Sequence, residues 1–161
     1  MTQVIGRSEL ATAEFINLLA QNGGTPTVVW VVDPALSAPG AGPGPLTELA
    51  AELTAAGVQS MVASTTFPRE PKISQVDALA AEIRSVANPI VIAVGGGSTM
   101  DGAKLAAAVA VAPDETLGYA LCARVFKGAP IPSICGPSTS GTGSGASRTS
   151  IASPEGGAQM R

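Results

Sequence analysis

The sequence predicts an α/β domain in which a parallel sheet is flanked by helices, and three observations carry that prediction. Segments of helical periodicity alternate with strand-length apolar runs along the chain, the sequence form of parallel strands joined by helical crossovers. Two of the runs, TVVWVV at 27–32 and IVIAV at 90–94, show no alternation of apolar and polar positions, as strands covered on both faces do not. Both end in turn chemistry, Asp33-Pro34 after the first and Gly95-Gly96-Gly97 after the second.

The elements follow in order. Ala11, Phe15, Leu18 and Leu19 share one helical face, with Ser8 placed to cap and Asn22-Gly23-Gly24 to stop the helix. The strand at 27–32 comes next, and then SAPGAGPGP at 37–45, whose prolines and glycines predict a surface loop. A helix starting at Pro45 or Leu46 buries Leu46, Leu49, Ala50 and Leu53 and stops at Gly57, ahead of a short strand at 58–64. Ser74-Gln75-Val76-Asp77 is a capping pattern for a helix with Val76, Leu79, Ala80 and Ile83 on its apolar face, and Asn88-Pro89 ends it. The strand at 90–94 leads into a helix at 98–112 that is apolar almost all round and so is expected at the centre of the domain. A short helix at 114–122 and a strand at 131–135 follow, the strand running into PSTSGTGSG. One domain over residues 1–152 is expected, with 153–161 an aperiodic, disordered tail.

Composition removes several function classes. With 161 residues, 45% of them hydrophobic, the chain can bury roughly two thirds of its unfolded surface in one core. A formal net charge of −3 speaks against a nucleic-acid partner. The sequence has no histidine, which excludes Ser-His and Cys-His nucleophilic arrangements and the commonest metal ligand. Cys122 and Cys135 form no C-x-x-C and read as two buried reduced thiols. The opening MTQVIGRSEL is polar, and the longest apolar run, at 105–113, is far short of the roughly 20 residues of a membrane span. A cytoplasmic protein with no membrane partner is expected.

In open α/β sheets ligands lie outside the carboxyl ends of the strands, where helix N-termini present unpaired N–H groups. Both glycine-rich loops are expected there. At the first, Gly95, Gly96 and Gly97 allow close backbone approach, and the amides around Ser98 favour an anion such as a diphosphate. The other reading is that Ser98-Thr99-Met100-Asp101 is a capping box and the glycines only make the turn. The stretch is neither G-x-G-x-x-G, since residue 100 is Met, nor a Walker A loop, since Ala103 intervenes between Gly102 and Lys104. The second loop, 138–145, offers hydroxyls and amides for a ribose, phosphate or amide; its alternative is a flexible linker. Asp33 can accept hydrogen bonds from a ribose and repel a 2′-phosphate, or it can be a turn aspartate ahead of Pro34.

Taken together, these residues resemble the N-terminal cofactor-binding domain of the iron-containing, group III alcohol dehydrogenases, relatives of dehydroquinate synthase. GGGSTMDGAK at 95–104 matches the family's GGGSxxDxAK, and PSTSGTGS at 137–144 matches the start of its PTTAGTGSE loop. Asp33 falls at the family's adenosine-ribose aspartate, and Glu70-Pro71 resembles its short motif before the third helix. The resemblance implies a Rossmann-like fold and a nicotinamide dinucleotide, NAD with NADP as the alternative. Its diphosphate would lie on Gly95, Gly96, Gly97 and Ser98, its ribose and nicotinamide near Ser138, Thr139 and Thr142, with Asp101 close by. The chain departs from the pattern at Ser138, Ser140 and Gly145, where the family has threonine, alanine and glutamate.

Family enzymes are considerably longer, and a helical C-terminal domain holds the aspartate and histidines that bind iron or zinc. That metal domain is absent from these residues, so Fe or Zn is expected only where a partner chain supplies the ligands. The resemblance therefore implies the cofactor-binding half of an alcohol dehydrogenase, inactive as the isolated chain. It would orient NAD(P) for hydride transfer with a small alcohol or carbonyl substrate, beside a helical metal-binding subunit or within a homo-oligomer. The alternative is a non-catalytic nucleotide-binding or regulatory protein derived from the same fold. A cyclase of the dehydroquinate synthase type fits less well, because Ser98, Asp101, Ala103 and Lys104 follow the alcohol dehydrogenase pattern.

Overall fold

A computed structural model describes residues 25–37, 45–112, 116–120, 125–140, 143–147 and 149–155. The helix expected around Ala11 to Leu19, residues 38–44 of the glycine-proline loop, Cys122, Thr142 and residues 156–161 lie outside the described residues. Within them the chain forms β1 (Thr27–Val32), a 3-10 turn (Pro34–Ser37), α1 (Pro45–Ala55), β2 (Gln59–Val62), α2 (Ile73–Arg84), β3 (Pro89–Gly95), α3 (Gly97–Val109), α4 (Thr116–Ala120) and β4 (Ser133–Pro137). The four strands make one parallel sheet in the order β2-β1-β3-β4. The α/β architecture expected from the sequence is the one the chain adopts.

Side-chain alternation along the two central strands sorts the core into two layers. Val28 and Trp30 of β1 and Ile90 and Ile92 of β3 face α1, where Leu49 and Leu53, with Val58 just beyond the helix, meet them. Val29, Val31, Val91 and Ala93 point the other way, into Val76, Leu79 and Ile83 of α2 and Met100, Ala103, Ala106 and Ala107 of α3. Both faces of β1 and β3 are therefore covered, which is why their sequences carry no polar alternation. Leu53, Leu79 and Ile83 are among the largest fully buried side chains, and truncating any of them to alanine would cost about 2–5 kcal/mol. In α3 it is Gly102 that leaves room for a ring. Phe67, buried after β2, lies against Gly102, where a Cβ would come within 2.6 Å of Cζ.

Connections and ends have identifiable causes. Gly57 takes a positive φ of 78° after α1, and Asn88 takes 47° before β3, where its carbonyl accepts the Thr27 amide at 3.1 Å. Arg84 at the end of α2 donates to the carbonyls of Val109, Ala110 and Ala112, closing the C-terminus of α3. β4 starts later than the apolar run suggests, because the Ile131 amide is bonded to Ala107 of α3 instead of to the sheet, at 3.2 Å. No helix among the described residues is long and apolar enough to cross a membrane.

Two expectations change. Ser74 and Asp77 do not cap α2. Gln75 Oε1 accepts the Lys72 amide at 3.0 Å, while Asp77 Oδ1 accepts the amide (3.0 Å) and hydroxyl (2.5 Å) of Thr116 and so caps α4, two helices further on. Ser74 donates to Glu155. The chain also stays paired beyond residue 152. Ser153 is buried, its amide bonds to Pro71 at 2.8 Å, its carbonyl accepts the Ile73 amide at 3.0 Å, and its hydroxyl donates to Glu70.

Candidate functional site

β1 connects outward to β2 and β3 connects outward to β4 in the opposite direction, so the strand order reverses between β1 and β3. A crevice opens at the carboxyl ends of strands at such a reversal. Three segments meet there. The Asp33 amide donates to Val94 O at 2.9 Å, and the Ser138 amide donates to Gly95 O at 2.9 Å, so the ends of β1, β3 and β4 are tied to one another through the main chain.

The two glycines at the end of β3 differ in what surrounds them. A Cβ on Gly95 would lie 2.7 Å from Thr99 Oγ1 and 2.8 Å from Asp33 Cβ, so this position is closed by packing. Among the described residues, a Cβ on Gly96 would meet only Thr139 Oγ1 at 3.8 Å and Asp33 Oδ2 at 4.0 Å. Gly96 thus leaves a gap that a Cβ would fill, with a carboxylate oxygen and a hydroxyl at ordinary contact distance. Thr99, fully buried against Gly95, has a hydroxyl with no hydrogen-bond partner among the described residues.

Gly96 is also the N-cap of α3, in extended conformation and with no side chain bonded to the first turn. The capping-box reading of residues 98–101 does not hold: Ser98 and Thr99 lie inside the helix, and its N-cap is Gly96, which has no side chain to offer. The first-turn N–H groups therefore remain available, with the positive end of the helix dipole behind them.

Asp33 makes the turn that one of its two readings expects. Oδ1 accepts the Ala35 amide at 3.0 Å in a local turn, leaving Oδ2 on the Gly96 side. Ser138 and Thr139 are exposed. Thr142 lies outside the described residues, and the structure adds nothing about it.

Asp101 sits one turn deeper and is buried. Its Oδ1 is 3.1 Å from Lys104 Nζ, and its Oδ2 accepts the Ile151 amide at 3.3 Å. Lys104 is a participant that sequence reasoning left without a role. The signal was present: a lysine three residues after an aspartate on an otherwise apolar helix implies an internal ion pair. Cys135, half-buried in β4, is held as a thiol because burial pushes its pKa up, against the Lys104 charge and with Asp101 adding to the rise.

The donor set suits an anion and a ribose and does not suit a metal. The sequence has no histidine, and among the described residues no three Cys, Asp or Glu side chains gather into a cluster that could hold a metal ion. No step through a metal is assigned to these residues.

Comparison with known proteins agrees with this architecture. The family model described as iron-containing alcohol dehydrogenase matches residues 4–161. A protein of Salmonella typhimurium named probable alcohol dehydrogenase EutG is 42% identical over 77 residues, 48% of this chain and 19% of its own. The iron-containing alcohol dehydrogenase of Thermotoga maritima superposes with a TM-score of 0.73 at 20% identity, covering 93% of this chain and 40% of that one. The sulfoacetaldehyde reductase of Bifidobacterium kashiwanohense, solved in complex with NAD+, superposes at 0.72 with 24% identity, covering 96% and 39%. The chain thus spans two fifths or less of these relatives. With the family model matching nearly its whole length, the chain belongs to the iron-containing alcohol dehydrogenase family.

Proposed function

We propose that this domain binds a nicotinamide dinucleotide and presents it for hydride transfer to or from a small alcohol or carbonyl compound, the metal ligands coming from a partner chain or a further domain. The observation that carries the reading is the gap at Gly96, with Asp33 Oδ2 and Thr139 Oγ1 at contact distance, at the uncapped start of α3. A diphosphate fits there for a physical reason: the first-turn amides donate to its oxygens, the helix dipole attracts its charge, and a glycine without Cβ lets it reach the backbone. Asp33 Oδ2 accepts from ribose hydroxyls and repels a 2′-phosphate, which favours NAD over NADP. Thr139 and Ser138 donate from the second loop and orient the remainder of the ligand. The bound dinucleotide would supply the nicotinamide that gives or takes the hydride. The similarity to a reductase solved with NAD+ supports the same reading.

Titration calorimetry of the chain with NADH and with NADPH tests it. Saturable heat with NADH, and weaker binding of NADPH, is the expected result. No heat with either nucleotide overturns the assignment.

A further inference from the structure

We propose that Lys104 is the positioning residue of the second glycine-rich loop: from within α3 its ammonium group straps the backbone at Ser144, Ser147 and Thr149 and so holds the loop that carries Ser138 and Thr139 in its binding shape. The inference rests on reading that loop as one wall of the dinucleotide site. Lys104 Nζ donates to the carbonyls of Ser144 at 2.6 Å, Ser147 at 3.2 Å and Thr149 at 3.0 Å, and it lies 3.1 Å from Asp101 Oδ1. The three carbonyls match its three hydrogens, while Asp101 Oδ1 faces it as a counter-charge, so Lys104 acts through the loop and not by contact with the cofactor.

The strap is strong because breaking it is costly. The Lys104 side chain is 16% exposed and that of Asp101 10%, and a buried ammonium that loses its partners suffers the full desolvation penalty. Loop conformations that withdraw the three carbonyls leave that charge stranded and are disfavoured. The second carboxylate oxygen of Asp101 extends the hold to the Ile151 amide, while the Ser138 amide pins the near end of the loop to Gly95.

The loop needs such a device. Gly143 adopts a positive φ of 63°, Gly145 and the serines give the chain little intrinsic shape, and ordering each residue costs about 1–2 kcal/mol. Strapped beforehand, the loop does not draw that cost from the affinity of the ligand it meets. Lys104 is thus a preorganising group at the last position of the GGGSTMDGAK stretch, where the Walker A pattern is broken by Ala103.

The test uses the full chain as wild type, Lys104→Met and Lys104→Arg, with two readouts: amide hydrogen exchange and calorimetric titration with NADH. In the wild type without nucleotide, amides at 143–147 and 149–151 should exchange more slowly than in a free peptide. In Lys104→Met they should exchange at least about tenfold faster while β3 stays protected, and the NADH Kd should rise at least about tenfold. Lys104→Arg, whose guanidinium keeps several donors, should restore both to within about threefold of wild type.

Unchanged loop exchange in Lys104→Met overturns the proposal, and so does faster exchange with an unchanged Kd. Should Lys104→Met unfold, a wild-type loop that exchanges like a free peptide until NADH is added overturns it as well, and a protected one supports it. A wild type that binds no NADH removes the cofactor reading, and the exchange comparison then decides the strap by itself.

Discussion

Gly95 and Gly96 are neighbours with different reasons for lacking a side chain. At Gly95 a Cβ has no space, since Thr99 and Asp33 stand 2.7–2.8 Å from where it would be, and at Gly96 it has space that the proposed ligand needs. The two positions therefore separate folding from binding. Gly95→Ala should lower stability by about 1–3 kcal/mol, read as an earlier urea midpoint, because neighbouring side chains must move to admit the methyl group. Gly96→Val should leave helical circular dichroism and the urea midpoint close to wild type while NADH binding is lost. A Gly96→Val protein that binds NADH normally removes the gap from the site. At Asp33 the expected change is one of preference: Asp33→Gly takes away the carboxylate that repels a 2′-phosphate, so the ratio of NADPH to NADH dissociation constants should fall toward one. An unaltered ratio would mean that the carboxylate serves only the turn with Ala35.

Among the elements, α2 does more than cover the sheet. Its Glu82 accepts four hydrogen bonds from the segment after β2: the Ser64 amide at 2.7 Å, the Ser64 hydroxyl at 3.0 Å, the Thr65 amide at 3.0 Å and the Thr65 hydroxyl at 2.6 Å. Burial alone would push its carboxyl up, but the Thr65 and Ser64 bonds outweigh it and hold the pKa below the ordinary value. A lowered folded-state pKa means that the charged clamp stabilises the fold above the unfolded-state value of about 4.3 and that this contribution is lost as the pH falls through the lower folded value. The difference in urea midpoint between wild type and Glu82→Gln should therefore be largest near pH 7 and shrink as the solution is acidified below pH 4.3. A difference that stays constant across that range would show that the charge of Glu82 contributes nothing. Neither this clamp nor the true cap of α4 could be read from local sequence. Glu82 meets residues 17 and 18 positions away and Asp77 meets Thr116 across 39, whereas a capping pattern is a statement about three or four neighbours. The strands and the helix faces were legible for the opposite reason. β1 and β3 must be apolar on both sides and α2 on one, and that demand is written in consecutive residues.

For the whole molecule, the crevice is assembled from pieces held by unlike forces: main-chain bonds join the strand ends, close packing shuts Gly95, and a buried ion pair straps the second loop. The approximate place of the crevice was legible, since glycine-rich turns after strands mark carboxyl ends, and the motifs named its loops. The tether from Lys104 to Ser144, Ser147 and Thr149 was not, because three backbone carbonyls leave no trace in side-chain identity. All of these pieces use main-chain amides, hydroxyls and carboxylates that act as acceptors, and none needs a cation other than lysine. Nucleotide binding by these residues should then be indifferent to metal. With no histidine in the sequence, and no cluster of metal-binding side chains among the described residues, those residues offer iron or zinc no set of ligands to compete for. The NADH isotherm measured after dialysis against a chelator should superimpose on the one measured with added Fe2+ or Zn2+, and alcohol-dependent NAD reduction by the isolated chain should stay at background in both. Loss of binding on chelation would place a metal at the Gly96 gap, while metal-dependent turnover would mean that these residues alone assemble a complete catalytic centre. Binding that ignores metal, in a chain that does not turn over, is what the separation of cofactor from catalytic metal requires.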